Sequence, residues 1–396
     1  MYCYLLYCVN PLQNYRIHFA FTLKFNGCSF ILAYGTLNWQ HLISTGEIKI
    51  STTISDVAKR ANVSMTTVSL CFQEGSRISD NTRKKVLEAA KEIGYVPNQF
   101  ARRLRSGKSR LIGLVVTEFD TAFVSDIIAG VERIVAAEGY NVLVFSTFRD
   151  IKIEKNVVRA AYEMMAEGLI VAACEEHNSV LQNLSDVDYP IVYVDSIPPK
   201  SVGAFVINDM DAIARLGLEY LLSLGHRDIL LINGHEKYRN FSSFSKFEDT
   251  YKSVFASNGI RVREELLRYG GAYIKDGCSA VCSALDDGID FSAVFAISDM
   301  VALGVIEGLE RRGLNVPQDV SVIGIDDSEV SSLKRIGLST IATTSNGSSD
   351  QNMGVIAANM LLGLLSSENP QTNVPSVILK PHLILRDSCK EYQSHR

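Results

Sequence analysis

Much of what this sequence lacks bears on function. No apolar stretch reaches the ~18 residues of a membrane span, and no charged leader runs through an apolar segment to a cleavage site. No low-complexity tract argues for disorder. The eight cysteines, at 3, 8, 28, 71, 174, 278, 282 and 389, contain no CxxC and no framework spacing, which excludes a disulfide scaffold and points to a reducing cytosol. Cys278 and Cys282 would share one helix face, but no Cys/His pair follows at metal-site spacing, so small core residues are expected and no metal. The seven histidines form no pair. A GxSxG elbow, a P-loop, HExxH and a Rossmann GxGxxG are all absent, which argues against an enzyme and against a cofactor.

Acid is missing where base is dense. In "PNQFARRLRSGKSRLIGLVV", residues 97–116, Arg102, Arg103, Arg105, Lys108 and Arg110 have no acidic neighbour, and Leu104 sits alone among them. Over 53–110 there are 12 Lys/Arg against 5 Asp/Glu, a net +7 in a chain of net -5. A small basic segment on a larger acidic body reads as a polyanion-binding module attached to something else. The 396 residues, 47% hydrophobic and 21% charged, exceed what one core usually supports and suggest two or three domains.

The first 50 residues are rich in aromatics and hold a single acid, Glu47, with Arg16, Lys24 and Asn26 interrupting the apolar stretches. Two readings stand: a weak membrane-proximal segment, or sequence upstream of the true start that was read in frame. The second is favoured, which makes 1–50 an atypical, non-native extension, with Leu37 or Leu42 serving as starts if their codons are of the alternative type.

From residue 53 the pattern is helical. "TISDVAKRANVSMTTVSLCFQEG" places Ile54, Val57, Ala58 and Ala61, then Val63, Val68, Leu70, Cys71 and Phe72, at spacings that imply two short helices. Ser55 and Asp56 fall where a cap or first-turn acid belongs, Asn62 tolerates a left-handed turn, and Ser64 caps the second helix. That helix opens with Met65, Thr66 and Thr67. Short donors, acceptors and methyl groups there suit a DNA groove. A third helix, capped by Ser79, buries Val86, Leu87, Ala90 and Ile93 and stops at Gly94, completing a domain of about 45 residues.

Here "TISDVAKRANVSMTTVS" and "ISDNTRKKVLEAAKEIGYVPNQFARRLRSGKS" resemble the DNA-binding headpiece and hinge of the lactose/galactose repressor family. "LGHRDILLI", "AISDMVALG", "DVSVIGIDD" and "LILRDS" follow in the order of that family's core. The resemblance implies a helix-turn-helix headpiece over 53–97, a hinge helix over 98–108, and a two-lobed, periplasmic-binding-protein-like α/β core over 109–396. It places Met65, Thr66 and Leu70 at base-reading positions. Thr53, Ser64, Thr67, Ser69, Gln73, Ser79, Tyr95 and Asn98 become phosphate or framing contacts. Leu104 becomes a wedge that levers open a base step in the minor groove, with Ala101 small enough to let two hinge helices approach. Leu70 departs from relatives with arginine or histidine there, so that operator position should be read by apolar contact or not at all.

In the core, "LIGLVV", "NVLVFS", "GLIVAA", "PIVYVD", "ILLIN", "AVFAIS" and "VSVIGID" alternate with helical stretches, as in parallel sheets covered on both faces. Such sheets bind ligands beyond the carboxyl ends of their strands. Phe119, Asp120, Phe123, Asp195, Ser298, Asp299 and Asp326 stand just there. The resemblance implies a small effector in this cleft, a sugar or purine, held by carboxylates and aromatics. Phe247 stands where many relatives carry an arginine that grips sugar hydroxyls, and Tyr273 is adjacent to another ligand position, so a typical sugar is in doubt; a phosphosugar bound otherwise or a less hydroxylated ligand fits as well. The expectation is a cytoplasmic homodimeric transcription regulator, most simply a repressor, on a pseudo-palindromic double-stranded operator, with no membrane partner. The alternative is a bilobed small-molecule binding protein without direct gene regulation.

Overall fold

The computed structural model describes residues 2–4, 16–25, 28–38, 52–72, 76–95, 109–119, 121–174, 178–197, 203–238, 242–343, 352–367 and 376–393, those before 39 as backbone only. The chain divides into two compact units, Met1–Ser109 and Arg110–Arg396. In the first, β1 (Tyr2–Tyr4), β2 (Arg16–Phe25) and β3 (Cys28–Asn38) form an antiparallel sheet in that order, an arrangement the sequence reading did not foresee.

Three helices follow: α1 (Ile54–Ala61), α2 (Met65–Cys71) and α3 (Asp80–Glu92). They enclose one small core of Val57, Ala58, Ala61, Val68, Cys71, Val86, Ala89 and Ala90. Thr53, not Ser55, caps α1 in a reciprocal capping box with Asp56. Asn62 then turns the chain with φ 51°, as its tolerance of that region suggests. Arg83 on α3 donates to the carbonyl of Cys71 at 2.6 Å, supplying a cation to the end of α2. Leu87 corrects the expectation: it is 44% exposed. The inward positions of α3 step through 86, 89, 90 and 93, and Leu87 lies a residue, about 100°, off that stripe.

The second unit has two lobes. The N-lobe holds a sheet of β4 (Leu111–Val116), β5 (Asn141–Ser146), β6 (Gly168–Val171), β7 (Ile191–Val194), β8 (Ala204–Asn208) and β14 (Val377–Leu379), ordered β14-β8-β7-β6-β4-β5 and parallel throughout. The C-lobe sheet is ordered β10-β9-β11-β12-β13-β15, from β9 (Ile229–Asn233), β10 (Leu267–Tyr269), β11 (Ala293–Ala296), β12 (Ser321–Ile325), β13 (Ser339–Ala342) and β15 (His382–Ile384). Its strands are parallel except for the β13–β15 pair. The seven strands anticipated are all present. Missed in this unit were β8, β10, β13, β14 and β15, of which β10, β14 and β15 are only three residues long and too short to show a period.

Helices cover both faces of each sheet. In the N-lobe, α4 (Ala122–Ala137) and α11 (Met353–Ser366) bury one face, while α5 (Ile151–Glu163) and α6 (Ser179–Ser185) bury the other. In the C-lobe, α7 (Met210–Ser223) and α8 (Ser242–Ser257) face α9 (Ile274–Asp286) and α10 (Asp299–Arg311) across the sheet. Because α7 begins just after β8, α11 follows β13, and β15 follows β14, the chain passes between the lobes three times. The carboxyl ends of the central strands therefore lie where the crossings occur.

Candidate functional site

The first candidate surface is the N-terminal face of α2. Ser64 caps the helix, accepting from the Thr67 amide at 3.1 Å, while Val68 and Cys71 anchor it in the core. The remaining positions are thereby turned out: Ser64, Thr66 and Leu70 are exposed, Met65 is 55% exposed, and Thr67 and Ser69 are half-buried. Hydroxyl, thioether and aliphatic side chains thus share one short helix without a single charge among them. The hydroxyls of Thr53 and Ser79 are likewise caps, Ser79 accepting from the Thr82 amide at 3.3 Å. Tyr95 is half-buried and tilts against Phe72 at 5.8 Å, closing the small core from its edge. Gln73, Asn98, Ala101 and Leu104, and with them the expected hinge helix, lie outside the described residues.

The second is the cleft at the carboxyl ends of the strands. Asp195 follows β7 and Asp326 follows β12, and both have left-handed backbones, φ 50° and 109°. Such conformations cost roughly 1–3 kcal/mol each and persist where the surroundings over-determine them, often in binding sites. Asp195 is open to water yet surrounded by protein, which pushes its carboxyl up to about 6, with the Arg149 guanidinium pulling the other way. Asp326 is raised well above the usual carboxylate range, first by desolvation and then by Asp299, Asp195 and Asp126. Carboxylates of both lobes thus act on Asp326.

Other expected cleft residues separate into different roles. Phe119 and Phe123 are half-buried and pack on the N-lobe core. Ser298 caps α10, accepting from the Val301 amide at 3.3 Å. Asp299 is fully buried; it accepts from the Thr340 hydroxyl at 2.5 Å and the Ser328 amide at 2.7 Å. Its reading as a ligand contact is corrected to that of a tie between α10, β13 and the loop after β12, acting on the cleft through its charge. Tyr273 is half-buried at the start of α9, with the Lys275 ammonium 5.5 Å from its ring centre. Asp120 lies outside the described residues.

Phe247 is a plain correction. It is fully buried and meets Phe295 edge-on at 4.9 Å within the core under α8. The inward stripe of α8 runs 247, 251, 254, 255, so this position faces the sheet and reaches no ligand.

Sequence reasoning missed Arg149. It follows β5 with φ 54° and pairs bidentately with Glu118 at 2.9 and 3.2 Å. Its guanidinium also lies 5.6 Å from the Tyr238 ring and 5.7 Å from the Phe244 ring of the other lobe, within cation–π range. Asn208, at the end of β8, was missed as well. The rule that singled out Asp195, applied to the end of β5, points to Arg149, whereas Asn208 ends a strand the sequence reading did not find.

Residues 53–98 match the family described as bacterial regulatory proteins, lacI family, and residues 218–389 a periplasmic binding protein-like domain. The HTH-type transcriptional regulator RegA of Clostridium acetobutylicum is 31% identical over 343 residues, 86% of this chain and all of that protein. Among solved structures, the lac repressor dimer bound to operator and an anti-inducer superposes with a TM-score of 0.70 at 26% identity, over 86% of this chain and 99% of that one. A complex of the regulator CelR with cellobiose gives 0.62 at 26% identity, over 85% and 99%.

Proposed function

The chain belongs to the lacI family of bacterial regulatory proteins, and from that premise we propose that it is a cytoplasmic repressor that binds a pseudo-palindromic operator as a homodimer and is switched by a small effector in its cleft. The observation that carries the reading is the outward set Ser64, Met65, Thr66 and Leu70 on a helix anchored by Val68 and Cys71. A single headpiece of this size makes few base contacts, whereas two-fold pairing doubles them and sets the half-site spacing. Residues 98–108 act as the hinge, Leu104 as the minor-groove wedge, and the arginines around it as phosphate contacts. Nothing among the catalytic motifs or the described side chains argues for turnover; no cluster of three His, Cys, Asp or Glu that could hold a metal ion is found among the described residues, and no helix among them is long and apolar enough to cross a membrane.

The test is selection of genomic fragments by the purified full chain across a salt series. A two-fold motif with a flexible pyrimidine–purine step at its centre is expected, with affinity falling steeply as salt rises. Salt-sensitive binding without any enriched motif would overturn the placement of α2 as the reading helix.

A further inference from the structure

Resting on the reading of the cleft as an effector site, we propose that the effector is a small amine-bearing organic cation, held between Asp195 of the N-lobe and Asp326 of the C-lobe. The strand ends present two carboxyl groups and a buried amide oxygen. Neither carboxylate makes a hydrogen bond or ion pair with any described residue, although both occupy the strand ends with left-handed backbones. Asp327 differs from its neighbour in being paired with Arg386. Asn208 adds an acceptor of another kind: its residue is 8% exposed and its Oδ1 is buried without a partner. It ends β8, the strand paired with the β7 that carries Asp195. A buried acceptor without a donor is costly, and a ligand N–H would relieve that cost.

Two cations among the described residues are engaged. Arg149, whose field reaches Asp195, is held by both oxygens of Glu118. Lys237 lies 5.1 Å from the Tyr238 ring centre. Phe247 belongs to the core, so α8 brings no guanidinium to its place. A metal ion would need three or more ligands drawn together, and no such group exists among the described residues. What fits is a charge carried on a molecule long enough to meet both lobes.

This ligand class has its own pH signature. Desolvation favours the protonated forms of Asp195 and Asp326, Asp299 and Asp126 reinforcing this at Asp326 and Arg149 opposing it at Asp195. An arriving ammonium favours the ionised forms, so binding releases protons. Affinity for a cation therefore rises as pH goes from 5 to 7, whereas a neutral sugar accepting hydrogen bonds from protonated carboxyls binds no better, or worse.

The experiment is calorimetric titration of the full chain with glucosamine, 1,4-diaminobutane and spermidine, set against glucose and glucose 6-phosphate, at pH 5, 6 and 7. Expected are binding of at least one amine at least 10-fold tighter than glucose, strengthening with pH, and a loss of 10-fold or more in Asp195→Asn and Asp326→Asn. Both variants should keep the native circular dichroism. Binding of glucose or the phosphosugar with no amine bound, no binding by any of the three amines, or amine affinity unchanged in folded Asp326→Asn would each overturn the proposal. The regulatory reading fails separately: it falls if the same protein enriches no DNA motif, whatever the cleft binds.

Discussion

At the scale of single residues, one substitution decides what a helix can read. Leu70 is 37% exposed near the end of α2 and carries no hydrogen-bonding group, so a base pair opposite it can be distinguished only by apolar contact, as with a thymine methyl. Leu70→Arg is expected to create a preference for guanine at that operator position, worth roughly 1–3 kcal/mol of discrimination, read by selection from a randomised duplex pool. An unchanged motif would place Leu70 off the groove. Asp195 and Asp299 show why residue type and position in sequence do not suffice. Both are aspartates just past a strand, yet one is open to the cleft and the other is fully buried under two hydrogen bonds.

At the scale of elements, paired helices in each lobe approach through glycine. In the C-lobe, a Cβ on Gly304 of α10 would stand 1.9 Å from the Ile274 carbonyl oxygen on α9, and one on Gly277 2.1 Å from that of Val301. In the N-lobe, Gly354 of α11 meets the Ile127 carbonyl of α4 in the same way. Backbone cannot yield as a flexible side chain would, so Gly304→Ala should cost about 3 kcal/mol or more in chemical denaturation. Gly363, exposed on α11 with nothing within 4 Å of its Cβ position, makes the control: Gly363→Ala should stabilise by about 0.5–1 kcal/mol. Equal effects would mean that propensity, not packing, governs these positions. Seven apolar runs were legible as strands beforehand; β14 and β15 were not, because three residues take their strand character from the neighbour they pair with.

At the scale of the whole molecule, function requires that events in the cleft alter DNA binding, and the basic stretch 98–108 is where that coupling would have to pass. Leu104 tests it. Leu104→Ala is expected to lower operator affinity by roughly 10-fold or more and to reduce the bend seen by gel phasing, since the wedge exchanges a few kcal/mol of unstacking for extra contact. The slope of affinity against salt should stay nearly unchanged if, as proposed, Arg102, Arg103 and Arg105 and not Leu104 meet the phosphates. A changed slope with an unchanged bend would assign Leu104 a different role.

The sequence alone determined what is local or periodic. The caps Ser64 and Ser79 stand beside amides three residues on, the core stripes of α1 and α2 follow helical spacing, and the long buried strands announce themselves as apolar runs. Only the tertiary structure decided which strand ends share the cleft and which of the polar groups there are already satisfied. It moved Phe247 into the core and tied Asp299 to Thr340, and it brought Arg149 to Glu118, 31 residues away in the chain. The reason is physical: a cap or a stripe is set by neighbours within a few residues, whereas burial, hydrogen-bond satisfaction and the mutual field of Asp195 and Asp326 depend on groups that only the folded chain brings together.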